Sequence, residues 1–218
     1  LEALKWLAMA SMFTDHIGRH LLGWPQDSWV FALGRLAFPL FAFVLGVNLA
    51  REGDRARRCA RTAARLLAWG LVSVLPSIWA RGDPQMLNVL FTLGLGAALC
   101  WLVELDRPVL LRASASVAVA VAAWWVEFGV GGVFLVVAVY LACTQRQPGL
   151  ALVAVLLVAS VAVLNGQFGG LPAFAATLST LALAAAFRGL PVWVPRWQLL
   201  FYAIYPLHLA AIGALKSM

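Results

Sequence analysis

The chain has 218 residues, of which 63% are apolar and only 11% charged, with a formal net charge of +7. Soluble domains carry about 25% charged residues, so this balance excludes an ordinary soluble domain and describes an all-α, polytopic membrane protein. The positive charge does not indicate nucleic-acid binding, because the basic residues alternate with apolar spans and read as orientation signals.

At about 20 residues per crossing, the apolar runs predict nine transmembrane helices, near 4–22, 29–49, 64–80, 87–104, 113–127, 130–144, 149–165, 172–187 and 198–215, in a single domain over 1–218. The first could be a signal peptide, but Asp15, His16 and Arg19 interrupt its core and no small-residue cleavage site precedes a soluble domain, so it reads as a mature helix. The short pair meeting at Glu127-Phe128-Gly129 could be re-entrant. Between the second and third runs, Arg51, Arg55, Arg57, Arg58, Arg61 and Arg65 outnumber Glu52 and Asp54, which predicts a cytoplasmic loop and hence a cytoplasmic N-terminus. That choice also places Lys5, Arg107, Arg112, Arg146, Arg188 and Arg196 inside, twelve of the 16 Lys and Arg. Trp6, Trp24, Trp29, Trp79, Trp193 and Trp197 fall near span ends, where aromatic belts form. Cys59, Cys100 and Cys143 show neither disulfide nor metal spacing and read as packing residues.

The first run ends in Asp15-His16-Ile17-Gly18-Arg19-His20. A charge at the bilayer centre costs roughly 2.5–3.5 kcal/mol, so such groups pair or line a cavity and mark function. Asp15 and Arg19, like His16 and His20, are four residues apart and share one broad helical face. Alternating the spans brings Arg35, Asn88, Thr92, Glu127 and His208 to the same non-cytoplasmic layer, and predicts one polar cavity. Structural readings stand beside this one: Arg19 as a snorkelling cation, Asn88 and Thr92 as interhelical glue, His208 as a core histidine, and Arg35 as the counter-ion of Asp15. A carboxylate beside an imidazole suits proton transfer, with Asp15 orienting His16, His208 or Arg35. The outermost residue, His20, is read as lying outside the site. The residues suggest neither a metal site nor haem. The arginine run is a topology anchor or a seat for a phosphate-bearing donor.

Leu4-Lys5-Trp6-Leu7-Ala8-Met9 with Asp15-His16-Ile17-Gly18, Gly34-Arg35-Leu36-Ala37-Phe38-Pro39-Leu40-Phe41-Ala42-Phe43, Leu87-Asn88-Val89-Leu90-Phe91-Thr92-Leu93-Gly94, Glu127-Phe128-Gly129 and Tyr205-Pro206-Leu207-His208-Leu209 together resemble the TraX family. Phe128 stands where that pattern usually has tyrosine. The resemblance implies a transmembrane acetyltransferase of the bacterial inner membrane, using acetyl-CoA to modify a protein N-terminus such as pilin or another amine or hydroxyl. It implies that His16, Asp15 and His208 act in catalysis, with Arg19, Arg35, Asn88, Thr92 and Glu127 binding donor or acceptor. The expected partners are acetyl-CoA, the acceptor and the lipid bilayer. A small proton-coupled transporter or flippase would use the same buried layer, and a non-catalytic assembly subunit would pair its charges structurally.

Overall fold

The computed structural model describes residues 1–187 and 197–218, so Arg188, Trp193 and Arg196 lie outside the described residues. Among those residues the chain is helical, with one isolated parallel bridge between Leu87 and Val126. The helices are α1 (Glu2–His16), α2 (Trp29–Gly34), α3 (Ala37–Leu49), α4 (Arg55–Val72), α5 (Val74–Arg81), α6 (Val89–Glu104), α7 (Val109–Ala122), α8 (Gly129–Gln145), α9 (Pro148–Phe187) and α10 (Gln198–Lys216). Every expected span coincides with helix. Among the described residues three stretches, Trp29–Leu49, Pro148–Phe187 and Leu199–Lys216, are long and apolar enough to cross a membrane, or four if the bent pair α4–α5 is one span. The helices Val89–Glu104, Val109–Trp125 and Gly129–Gln145 are apolar but shorter.

Local chemistry explains the breaks. Pro39 has no N–H to offer the Arg35 carbonyl, so the second span parts at Arg35-Leu36. There Arg35 and Leu36 bond back three residues, to Ala32 and Leu33, rather than four. In α9, Gly170 takes φ 63° and ψ −159°, and Pro172 follows it. The kink separates the runs expected at 149–165 and 172–187, and Asn165 Nδ2 donates to Thr177 Oγ1 across it at 2.9 Å.

The chain forms two compact units, Leu1–Val44 with Leu75–Asp83 and Val158–Met218, and Leu45–Val74 with Pro84–Leu157. The first has a core of Leu4, Ala8, Leu36, Leu40 and Val44, on which Ala176, Leu183 and Phe187 pack. In the same unit Lys216 Nζ donates to the Ala80 carbonyl at 3.1 Å and Trp79 Nε1 to Ser217 Oγ at 3.1 Å, joining α5 to α10. In the second unit Gly70 on α4 sits against the Phe91 ring on α6, and Gly46 and Gly96 admit Val139 and Val136 of α8.

Candidate active site

In the first unit, α1 and α2 are clamped together by polar groups. Ser11 Oγ donates to the Leu33 carbonyl at 2.5 Å. Gly34 lets the Asp15 side chain lie against the α2 backbone: a Cβ at position 34 would stand 2.6 Å from Asp15 Cγ. Asp15 is only 4% exposed. Its Oδ2 accepts from Arg35 Nη2 at 2.5 Å, while Arg19 Nε lies 3.7 Å from Oδ1. The break after Gly34 turns Arg35 toward α1, and its Nε donates to the Phe31 carbonyl at 3.3 Å. Both guanidinium groups also cover the buried Phe31 ring, Arg35 at 4.1 Å and Arg19 at 5.3 Å from its centroid. A desolvated carboxylate thus has two cations around it, the condition under which a charge survives in a low-dielectric interior.

After His16 the first helix widens into a π-turn, Ile17–Leu21, in which the Leu22 N–H donates five residues back to the Ile17 carbonyl at 3.0 Å. Such turns recur at functional sites. Here it sets the directions of Arg19 and His20, whose Nη2 and Nε2 stand 3.4 Å apart.

His16 meets His208 from α10. Their Nδ1 and Nε2 atoms are 2.7 Å apart, with ring planes within 9° of parallel and centroids separated by 5.0 Å, so the bond runs along the ring edges. His208 Nδ1 lies 2.8 Å from the Ile204 carbonyl. A carbonyl only accepts, so His208 carries its proton on Nδ1 and, when neutral, presents a bare Nε2. That nitrogen takes the hydrogen bond from His16 Nδ1–H, and His16 Nε2 is left as the basic nitrogen of the pair. Phe13 packs edge-on against His208 at 4.8 Å between centroids, and Tyr205 stands 5.5 Å from His208 and 6.4 Å from His16. The His20 ring centroid is 5.6 Å from that of His16.

Five of the residues singled out from sequence, Asp15, His16, Arg19, Arg35 and His208, therefore meet in one place. Of the partners read for Asp15, the structure selects Arg35. The Asp15 carboxylate bonds Arg35 and neither imidazole, so His208 and the Ile204 carbonyl fix the tautomer of His16. His20, read as lying outside, is a ring neighbour.

Asn88, Thr92 and Glu127 belong to the second unit. Asn88 caps α6, accepting from the Leu90 N–H at 3.2 Å and donating to the Gly70 carbonyl at 2.9 Å. Thr92 Oγ1 donates to the Glu127 carbonyl. The Glu127 N–H bonds the Leu87 carbonyl at 3.0 Å. Both side chains engage backbone: Thr92 fastens the loop ahead of α8, and Asn88 ties the start of α6 to α4. One polar cluster of this unit escaped notice in the sequence: Glu104 accepts from Tyr140 Oη at 2.5 Å and from Arg55 Nε at 3.1 Å. Its signal was the lone carboxylate ending an apolar run opposite an arginine-rich loop. Among the described residues no group of three or more His, Cys, Asp or Glu is arranged to hold a metal ion.

Apolar helices enclosing an ion pair and joined imidazoles define an all-helical membrane protein with a polar site among its helices. A family model described as "TraX protein" matches residues 1–216, and the chain belongs to the TraX family. Protein TraX of Escherichia coli is 28% identical over 225 residues, covering 98% of this chain and 86% of that protein. Protein TraX of Escherichia coli strain K12 is 36% identical over 103 residues, 46% of this chain and 39% of that one. No solved structure matches.

Proposed function

We propose that this chain is an integral membrane acetyltransferase that moves an acetyl group from acetyl-CoA to an amine or hydroxyl, such as the N-terminus of a protein like pilin. The proposal places it in the bacterial inner membrane with nine crossings and a cytoplasmic N-terminus. The observation that carries it is the bare Nε2 of His16, held by the Ile204–His208–His16 chain, with the Arg19 guanidinium against the neighbouring His20.

The acceptor nitrogen or oxygen attacks the thioester carbonyl, and its proton passes to His16 Nε2. The carbonyl oxygen gains negative charge, and Arg19 is the cation assigned to stabilise it. Arg19 is the freer of the two cations, with 24% of its side chain exposed against 12% for Arg35, which is committed to Asp15. The C–S bond then breaks, and the departing thiolate recovers the proton from His16. The products are the acetylated acceptor and free coenzyme A. His208 holds the ring of His16 and shares the positive charge of the intermediate state.

The test is to incubate purified protein with labelled acetyl-CoA and amine or hydroxyl acceptors, following acetyl transfer and thiol release. His16→Ala should lower the rate by about 10²–10⁴-fold. His208→Ala should lower it less, because Nε2 of His16 remains but loses its fixed tautomer. Thiol release that neither substitution changes would remove the site assignment. Absence of acetyl-CoA binding would remove the function, and proton-driven uptake by the same protein would favour a transporter.

A further inference from the structure

A second site lies on α4, within the second unit. Every exposed residue of this helix falls on one side: Arg57, Arg61, Ala64, Arg65, Ala68, Leu71 and Val72. The buried residues Cys59, Ala63, Leu66 and Gly70 fall on the other. At 3.6 residues per turn the exposed set covers an arc of about 120°. Its rotation is fixed, because Gly70 abuts Phe91 and its carbonyl is bonded by Asn88.

Along this face the chemistry changes in one direction. Arg57, Arg61 and Arg65 occupy successive turns over about 12 Å of helix. Small alanines follow, and then Leu71 and Val72, which are 70% and 58% exposed. Neighbouring cations in the same run are engaged within the protein. Arg55 pairs with Glu104, and Arg58 donates to the carbonyls of Leu49, Arg51 and Glu52. The side chains of Arg57 and Arg61 have no hydrogen bond or ion pair among the described residues. Asp54, at the base of the helix, spends its carboxylate on the Arg57 N–H at 2.9 Å.

We propose that this face holds one anionic glycerophospholipid, with its phosphate gripped by Arg57 and Arg61 and an acyl chain laid over Ala64 and Ala68 toward Leu71 and Val72. The match is of charge and of length. Arginine forks bind phosphate oxygens bidentately. The alanines leave a shallow track, and the exposed apolar end is where hydrocarbon belongs. A zwitterionic lipid fits less well, because its ammonium would lie beside unneutralised guanidinium groups.

The experiment reconstitutes the full chain with equal parts phosphatidylcholine and phosphatidylglycerol, extracts it into mild detergent, and weighs the retained lipid by native mass spectrometry. Wild-type protein should keep phosphatidylglycerol in preference, with one molecule surviving dilution. Arg57→Gln with Arg61→Gln should lower that preference by about fivefold for each charge removed. The paired Lys substitutions keep the charge that orients the chain but lose the fork, so they should lower it by less. If the Gln pair fails to fold, the Lys pair decides. Retention at the bulk lipid ratio, an unchanged preference in the variants, or displacement of the lipid by soluble coenzyme A would overturn the assignment.

Discussion

Asp15→Asn tests whether the carboxylate acts through the arginines or through the imidazoles. The substitution keeps the volume that fits against Gly34 but leaves Arg35 as a buried cation, with 12% of its side chain exposed. Breaking a buried pair from one side costs about 3 kcal/mol. In a chain of this size that lowers the unfolding temperature by about 6–12 °C. Adding Arg35→Gln should recover most of the loss, since an Asn–Gln contact leaves no buried charge and only about 1 kcal/mol of lost hydrogen bonding. Arg19 can then turn outward into water. Thermal unfolding of the two single variants and the double variant in the same detergent reads this directly, with acetyl transfer measured on each at a temperature where all are folded. An Asp15→Asn protein that melts with wild type yet transfers no acetyl group would refute the reasoning, because the carboxylate would then serve the chemistry and not the ion pair.

Gly34→Ala should reproduce much of the same lesion by steric means, because the new methyl group would displace Asp15; reduced melting temperature with an unaltered charge count is the expected result. Tyr140→Phe leaves Glu104 with Arg55 alone and should cost about 1–3 kcal/mol in thermal unfolding, with acetyl transfer unaffected at low temperature. Thr92→Val removes the donor to the Glu127 carbonyl and should speed amide exchange at Gly129 and Gly132, the first N–H groups after that loop, without changing exchange in α1.

The helices were legible because a bilayer solvent demands long apolar runs, and each run coincides with helix. The Asp15–Arg35 pair was legible from cost alone, since an interior carboxylate needs a cation. The imidazole pair was less so: His16 and His208 are 192 residues apart in sequence, and only tertiary packing brings their ring edges together. For Asn88 the reading as interhelical glue is the one the contacts match, since its side chain bonds the Gly70 carbonyl of α4. An asparagine just before an apolar helix is also a helix-capping signal, and its side chain oxygen accepts from the Leu90 N–H in that way. Among the partners open to Asp15, His16, His208 and Arg35, the sequence could not choose; Gly34 lets the Asp15 side chain lie against α2, and Arg35 takes the carboxylate. Nothing in Ile17–Leu21 announced a π-turn, since that geometry depends on packing around Gly18, where a Cβ would collide with Val30.

The π-turn also makes chain length a variable in the geometry of the cluster. Residues up to His16 are pinned to α2 by Ser11 and Asp15, whereas those after it follow a register containing one residue more than an α-helix needs. Deleting Gly18 would restore ordinary helix and swing everything beyond the cut by about 100°. His16, His208 and the Asp15–Arg35 pair would stay in place, and the guanidinium of Arg19 would leave Asp15 and His20. One residue of length, with no change of side-chain type, separates a carboxylate held between two cations from a carboxylate held by one.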